Sequence, residues 1–141
     1  MAMTVPQWAL LGFAAWTLML LVATVGVYRW GMILFRGAPV GSFRSDRLEG
    51  AEWYQRGVRA HANCVENLPV FGVIVFLLSV TGVGGGVVDT LCVLVLAARL
   101  CQSLVHLSHR QTDAFVAVRF SFFSVQLVCF LVLIVLVVKN G

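Results

Sequence analysis

Arg59, Asn63 and Glu66 lie in the run Arg59-Ala60-His61-Ala62-Asn63-Cys64-Val65-Glu66-Asn67-Leu68-Pro69, which leads straight into a long apolar stretch. At helical spacing they stand at i, i+4 and i+7, so a cation, an amide and a carboxylate share one stripe. Such a stripe suits a zwitterionic ligand. A second set lies on another apolar stretch, where Gln102, Ser103 and His106 stand at i+3, i+4 and i+7 from Arg99 and share its face.

Arg99 is the more demanding residue, because it sits well inside apolar sequence. A cation at the centre of a membrane helix costs roughly 2.5–3.5 kcal/mol on insertion scales, so it should turn inward and meet a partner. Glu66 is the obvious candidate. The two could form a buried structural pair that positions the helices, or they could line a polar cavity open to the cytoplasm together with Gln102, Ser103 and His106. Both roles can hold at once.

Other chemistries find little support. Cys64, Cys92, Cys101 and Cys129 form no C-x-x-C pair, and a free cysteine in an apolar span reads as a small packed hydrophobe. His61 and Cys64 have the spacing of two metal ligands, yet zinc needs at least three from the protein and no third is evident, so no metal site is expected. No nucleophile elbow, phosphate loop or H-E-x-x-H is present.

The elements that must position these residues can be read from composition. The chain has 141 residues, of which 60% are hydrophobic and 11% charged. A soluble domain of this size cannot bury so much apolar surface, so the surrounding solvent must be lipid. Trp8 to Val27 is uncharged and long enough to cross a hydrocarbon core of about 30 Å at 1.5 Å per residue. It is longer than a signal-peptide core and no basic residue precedes it, so a retained helix is expected. Leu68 to Val88, Val87 to Leu107 and Phe120 to Val138 supply three more spans, with Thr81-Gly82-Val83-Gly84-Gly85-Gly86 as the turn between the second and third. We expect helices over about 6–28, 48–82, 87–108 and 114–138, in one domain covering residues 1–141. In the longest connection, Gly31, Gly37, Pro39, Gly41 and Ser42 mark turns, and Ser45-Asp46-Arg47-Leu48-Glu49 offers a helix start.

Orientation is set by where the arginines lie. Arg29, Arg36, Arg44, Arg47, Arg56 and Arg59 fall between the first two spans, and Arg110 and Arg119 between the last two, whereas the glycine turn has no basic residue. The positive-inside rule then sets both basic connections in the cytoplasm and both chain ends away from it. The formal net charge of +4 reflects this topology and contact with anionic headgroups. Nucleic acid is not an expected partner, because the arginines are spread over membrane-flanking loops without a binding motif. A small transporter is also a poor reading, since Pro69 alone hints at a broken helix.

The order R-A-H-x-N-x-x-E-N-x-P-x-F at the entry to the second span, then A-R-x-x-x-S-x-x-H in the third and Arg119 opening the fourth, resembles the MAPEG family, the membrane-associated proteins of eicosanoid and glutathione metabolism. The likeness covers nearly the whole chain, including four spans and a long basic first loop. It implies an all-α integral membrane protein, a four-transmembrane-helix bundle that assembles as a homotrimer and holds glutathione between subunits near the cytoplasmic face. It also implies an apolar small-molecule substrate drawn from the bilayer, and we expect a multi-pass protein of a bacterial inner membrane.

Carried over by motif, Arg59, Asn63 and Glu66 would contact the peptide part of glutathione, with Arg99, Gln102 and His106 completing the binding set. A guanidinium takes a carboxylate in bidentate fashion and a carboxylate takes an ammonium, which fits that assignment. Arg119 resembles the fourth-helix arginine that stabilises the glutathione thiolate and would be the catalytic residue. A nearby cation lowers a thiol pKa from about 8.5 and so raises the fraction of nucleophile. The implied function is glutathione-dependent transferase or peroxidase chemistry on apolar electrophiles or lipid hydroperoxides. The chain departs from the family's pattern at Ala62, Gln102, His106, Phe120 and Phe123, and the missing hydroxyls remove hydrogen bonds worth on the order of 1 kcal/mol each. The competing class is therefore a noncatalytic membrane protein whose polar cluster serves trimer assembly or binds lipid or a partner.

Overall fold

Thr4 starts the first helix by a reciprocal cap, its hydroxyl accepting from the Gln7 N–H while the Gln7 side chain accepts from the Thr4 N–H at 2.9 Å. Pro6 sits in the first turn, where a missing N–H costs nothing. The computed structural model describes residues 2–43, 49–108 and 112–141. Among the described residues the fold is all helical. Four helices are long and apolar enough to cross a membrane: α1 Val5–Arg36, α2 Glu52–Thr81, α3 Gly86–Ser108 and α4 Asp113–Asn140. Arg44, Arg47, Arg110 and the expected helix start over residues 45–48 lie outside the described residues, while Glu49 is described and is not helical.

The first helix is longer than the expected 6–28. It runs through Gly31, where the sequence suggests a turn, and ends only at Gly37, whose φ of 61° is left-handed. Met32, Leu34 and Arg36 are strong helix formers and outweigh the roughly 1 kcal/mol cost of one interior glycine. At 1.5 Å per residue, 32 residues span about 48 Å, so one end of α1 stands clear of a hydrocarbon core of about 30 Å.

Within α1, Leu21–Gly26 winds as a π-helical turn. Thr24 lies buried there, donates to the Leu20 carbonyl and packs on Gly57 of α2. A Cβ at Gly57 would collide with the Thr24 side chain, so only glycine lets the helices come this close. The extra residue of a π turn also rotates the C-terminal part of α1, bringing Tyr28 to stack on Tyr54 at 4.1 Å and Arg29 Nε to donate to the Tyr54 hydroxyl at 3.0 Å. Pro69 does not break α2, which continues past it to Thr81.

The helices alternate in direction. At one end Gln7 Nε2 donates to Ser79 Oγ at 3.3 Å and Gly141 lies against Thr81, so both chain ends share a side with the glycine turn. At the other end Arg56 Nε donates to the Leu107 carbonyl at 3.1 Å and satisfies the C-terminus of α3. Between these ends Phe71 lies between Phe13 and Phe130, with ring centroids 5.9 Å apart in each pair, and Ile74, Val75, Cys92, Val95 and Leu133 fill the space around them. Apolar groups such as Val73, Phe76, Val80, Leu131 and Val135 face outward, as lipid contact requires. Cys64, Cys92 and Cys129 are buried, but Cys101 is exposed; two residues beyond Arg99, it falls on the far side of α3.

Candidate functional site

Faces of α2, α3 and α4 meet inside the bundle and bring Asn63, Arg99, Gln102 and Gln126 into hydrogen bonds across the helices. Arg99 is 1% exposed, and its Nη1 donates to Asn63 Oδ1 at 2.8 Å, with the guanidinium carbon 5.4 Å from the centre of the Phe13 ring. Asn67, one turn along α2, donates to the Asn63 carbonyl at 2.8 Å and to its Oδ1 at 3.3 Å. Asn63 Oδ1 thus accepts from two donors, and its amide N–H groups are the part left to meet another acceptor. Nε and Nη2 of Arg99 are buried and have no hydrogen-bond partner among the described residues.

The direct partner of Arg99 is Asn63 and not Glu66. It lies exposed on α2 and forms no ion pair with Arg99 among the described residues. Asn63 stands one turn nearer and presents a neutral oxygen to the buried cation, so the bond between α2 and α3 joins a charge to an amide. Arg59 is exposed as well, and the stripe of Arg59 and Glu66 faces away from the core while Asn63 looks partly into it.

Gln102 and Ser103 are 3% and 2% exposed, so the face of α3 expected to line an open cavity is packed shut at these positions. The Gln102 amide oxygen accepts from Gln126 Nε2 of α4 at 2.9 Å, and Gln126 Nε2 also donates to the Phe122 carbonyl at 3.1 Å. Ser103 Oγ lies 3.5 Å from Cys64 Sγ. His61 Nδ1 is 3.1 Å from the Thr17 carbonyl. Gln126 is visible in the sequence only as a polar interruption of the fourth span. A buried amide inside a membrane helix needs a partner, and that rule is the signal available for it.

His106 lies one turn beyond Gln102 and Ser103, toward the end of α3, and is half-buried. Arg119 of α4 reaches it, with Nη1 3.0 Å from His106 Nδ1. Arg119 is itself partly exposed, unlike Arg99. Phe120 is exposed and Phe123 half-buried, and neither has a hydroxyl to offer. Ser121 and Ser124 donate to the carbonyls of Ala117 and Phe120, at 3.0 and 2.9 Å. The fold therefore joins Arg99 to Asn63, Gln102 to Gln126 and Arg119 to His106, and leaves Arg59 and Glu66 outside these bonds. Chemically it offers a sealed cation at Arg99 and accessible ones at Arg119 and Arg59, of which Arg119 is the one held against a side chain of α3.

No curated protein and no solved structure matches the chain. A family model does, that of the MAPEG family, over residues 7–139. With four membrane-length helices and that match covering nearly its whole length, the chain belongs to the MAPEG family.

Proposed function

We propose that the protein is a glutathione-dependent membrane transferase or peroxidase acting on apolar electrophiles or lipid hydroperoxides. Family membership supports a membrane protein of glutathione or eicosanoid metabolism, and the observation that carries the finer reading is the accessible Arg119 guanidinium held against His106. A cation that water and ligand can reach is the group able to stabilise a thiolate. Arg59, Asn63 and Glu66 then bind the peptide part of glutathione, with Asn63 donating from the amide nitrogen that its bond to Arg99 leaves free.

In this reading three copies assemble, each site is completed by a neighbour, and the apolar co-substrate arrives from the bilayer. The site faces the cytoplasm of a bacterial inner membrane. One observation favours a structural role for part of the set: Arg99 is sealed and bonded to Asn63, so it positions α3 against α2. The same reasoning supports the noncatalytic alternative, in which the whole cluster serves assembly. Purified protein incubated with glutathione distinguishes the two. Binding together with thiolate absorbance near neutral pH is the expected result, and an intact oligomer that binds no glutathione would exclude the enzyme.

A further inference from the structure

The contact between Arg119 and His106 decides where the imidazole proton sits. A guanidinium has only N–H donors, so a bond from Arg119 Nη1 to His106 Nδ1 at 3.0 Å requires a lone pair on Nδ1. A doubly protonated ring, or the Nδ1-protonated tautomer, would set donor against donor. The ring is therefore neutral and carries its proton on Nε2, by the rule that the bond at one ring nitrogen determines the state of the other.

That Nε2–H has no acceptor among the described residues, and the ring is only half-buried, so a donor stands open beside the accessible guanidinium. The neighbouring groups on α4 cannot take its place. Phe120 and Phe123 have no donor, and the hydroxyls of Ser121 and Ser124 are bonded to carbonyls of their own helix. We propose that His106 is a catalytic residue, locked by Arg119 as the Nε2-protonated tautomer, whose Nε2–H donates a hydrogen bond to the glutathione sulfur while Arg119 supplies the charge. This rests on the glutathione reading above. A hydrogen bond to a thiolate is charge-assisted and strengthens as the sulfur ionises, so its benefit falls on the reacting state.

The test uses the full-length protein in detergent or nanodiscs, with histidine labelled by nitrogen-15 and the His106 signals assigned by their loss in His106→Asn. Before any ligand is added, the spectrum should show a bare Nδ1 and a protonated Nε2. Glutathione should then shift the Nε2–H signal, and Arg119→Leu should abolish the single tautomer. His106→Asn keeps an acceptor near the position of Nδ1 but lacks the Nε2 donor, so turnover should fall about tenfold while KM for glutathione changes by less than about threefold. A ring protonated on Nδ1, or on both nitrogens, overturns the lock. Full turnover in a folded His106→Asn protein, or an Nε2–H signal unmoved by bound glutathione, overturns the donor role. If unaltered protein with the expected tautomer binds no glutathione, the glutathione reading fails, and the thiol half of this inference falls with it.

Discussion

Arg99 and Arg119 are both cations on membrane helices, and burial separates their roles. Arg99 is 1% exposed and bonded to Asn63, whereas Arg119 is partly open and meets the His106 ring. Replacing Arg119 with Leu should lower turnover toward a test electrophile more than it lowers affinity for glutathione, the pattern of an interaction strongest in the reacting state. Steady-state kinetics beside equilibrium binding would check it, and a folded Arg119→Leu protein with full turnover would remove Arg119 from the chemistry. Glu66 makes a different contribution. It is exposed and, among the described residues, bears no ion pair to a core residue, so Glu66→Gln should leave the oligomer folded and weaken glutathione binding by about 1–3 kcal/mol, through loss of a charge-assisted contact. Size-exclusion chromatography and titration calorimetry would read the two effects separately; an intact assembly with unchanged affinity would exclude Glu66 from the site.

Among the elements, α1 and α2 cross closely at a glycine. Thr24, in the π turn, meets Gly57 where no side chain fits, so Gly57→Val should destabilise the bundle by about 1–3 kcal/mol, the usual cost of overpacking. Thermal unfolding monitored by circular dichroism would show it, and adding Thr24→Gly should recover part of the loss. The seam between α3 and α4 depends on amides. Gln126→Leu removes the donor to Gln102 inside the membrane and should cost about 0.6 kcal/mol, the average for an interhelical hydrogen bond in lipid, and at most about 1.7 kcal/mol. A Gln126→Leu protein as stable as the unaltered one would mean that Gln102 finds another partner.

For the molecule as a whole, the alternating helices set the N-terminus, the glycine turn and the C-terminus at one end and the arginine-rich end opposite. By the positive-inside rule, the asymmetry of Arg29, Arg36, Arg56 and Arg59 against a turn without basic residues predicts a cytoplasmic arginine-rich end. A cysteine introduced at Gly84, or at Gly141, should therefore react with an impermeant thiol reagent added from the non-cytoplasmic side. Labelling from the cytoplasm at both positions would invert the orientation and move the His106 and Arg119 end away from the glutathione supply.

The four spans, the left-handed stop at Gly82 and the stripe of Arg59, Asn63 and Glu66 are all legible along the chain, because hydropathy and helical period are local properties that one segment carries within itself. The length of α1 is less legible, since Gly31 looks like a turn until the residues around it are seen to sustain the helix. The choice of partners is not legible. Arg99 meets Asn63 and not Glu66, Gln102 meets Gln126, and Arg119 meets His106, although spacing alone places Glu66 and Gln102 as plausibly as their neighbours. Which side chains touch across two helices depends on the rotation and axial register of each, and a single π turn in α1 or a glycine contact at Gly57 resets both. Those angles arise from packing among all four helices at once, so tertiary structure decided which cation is sealed in the core and which is left open to a ligand.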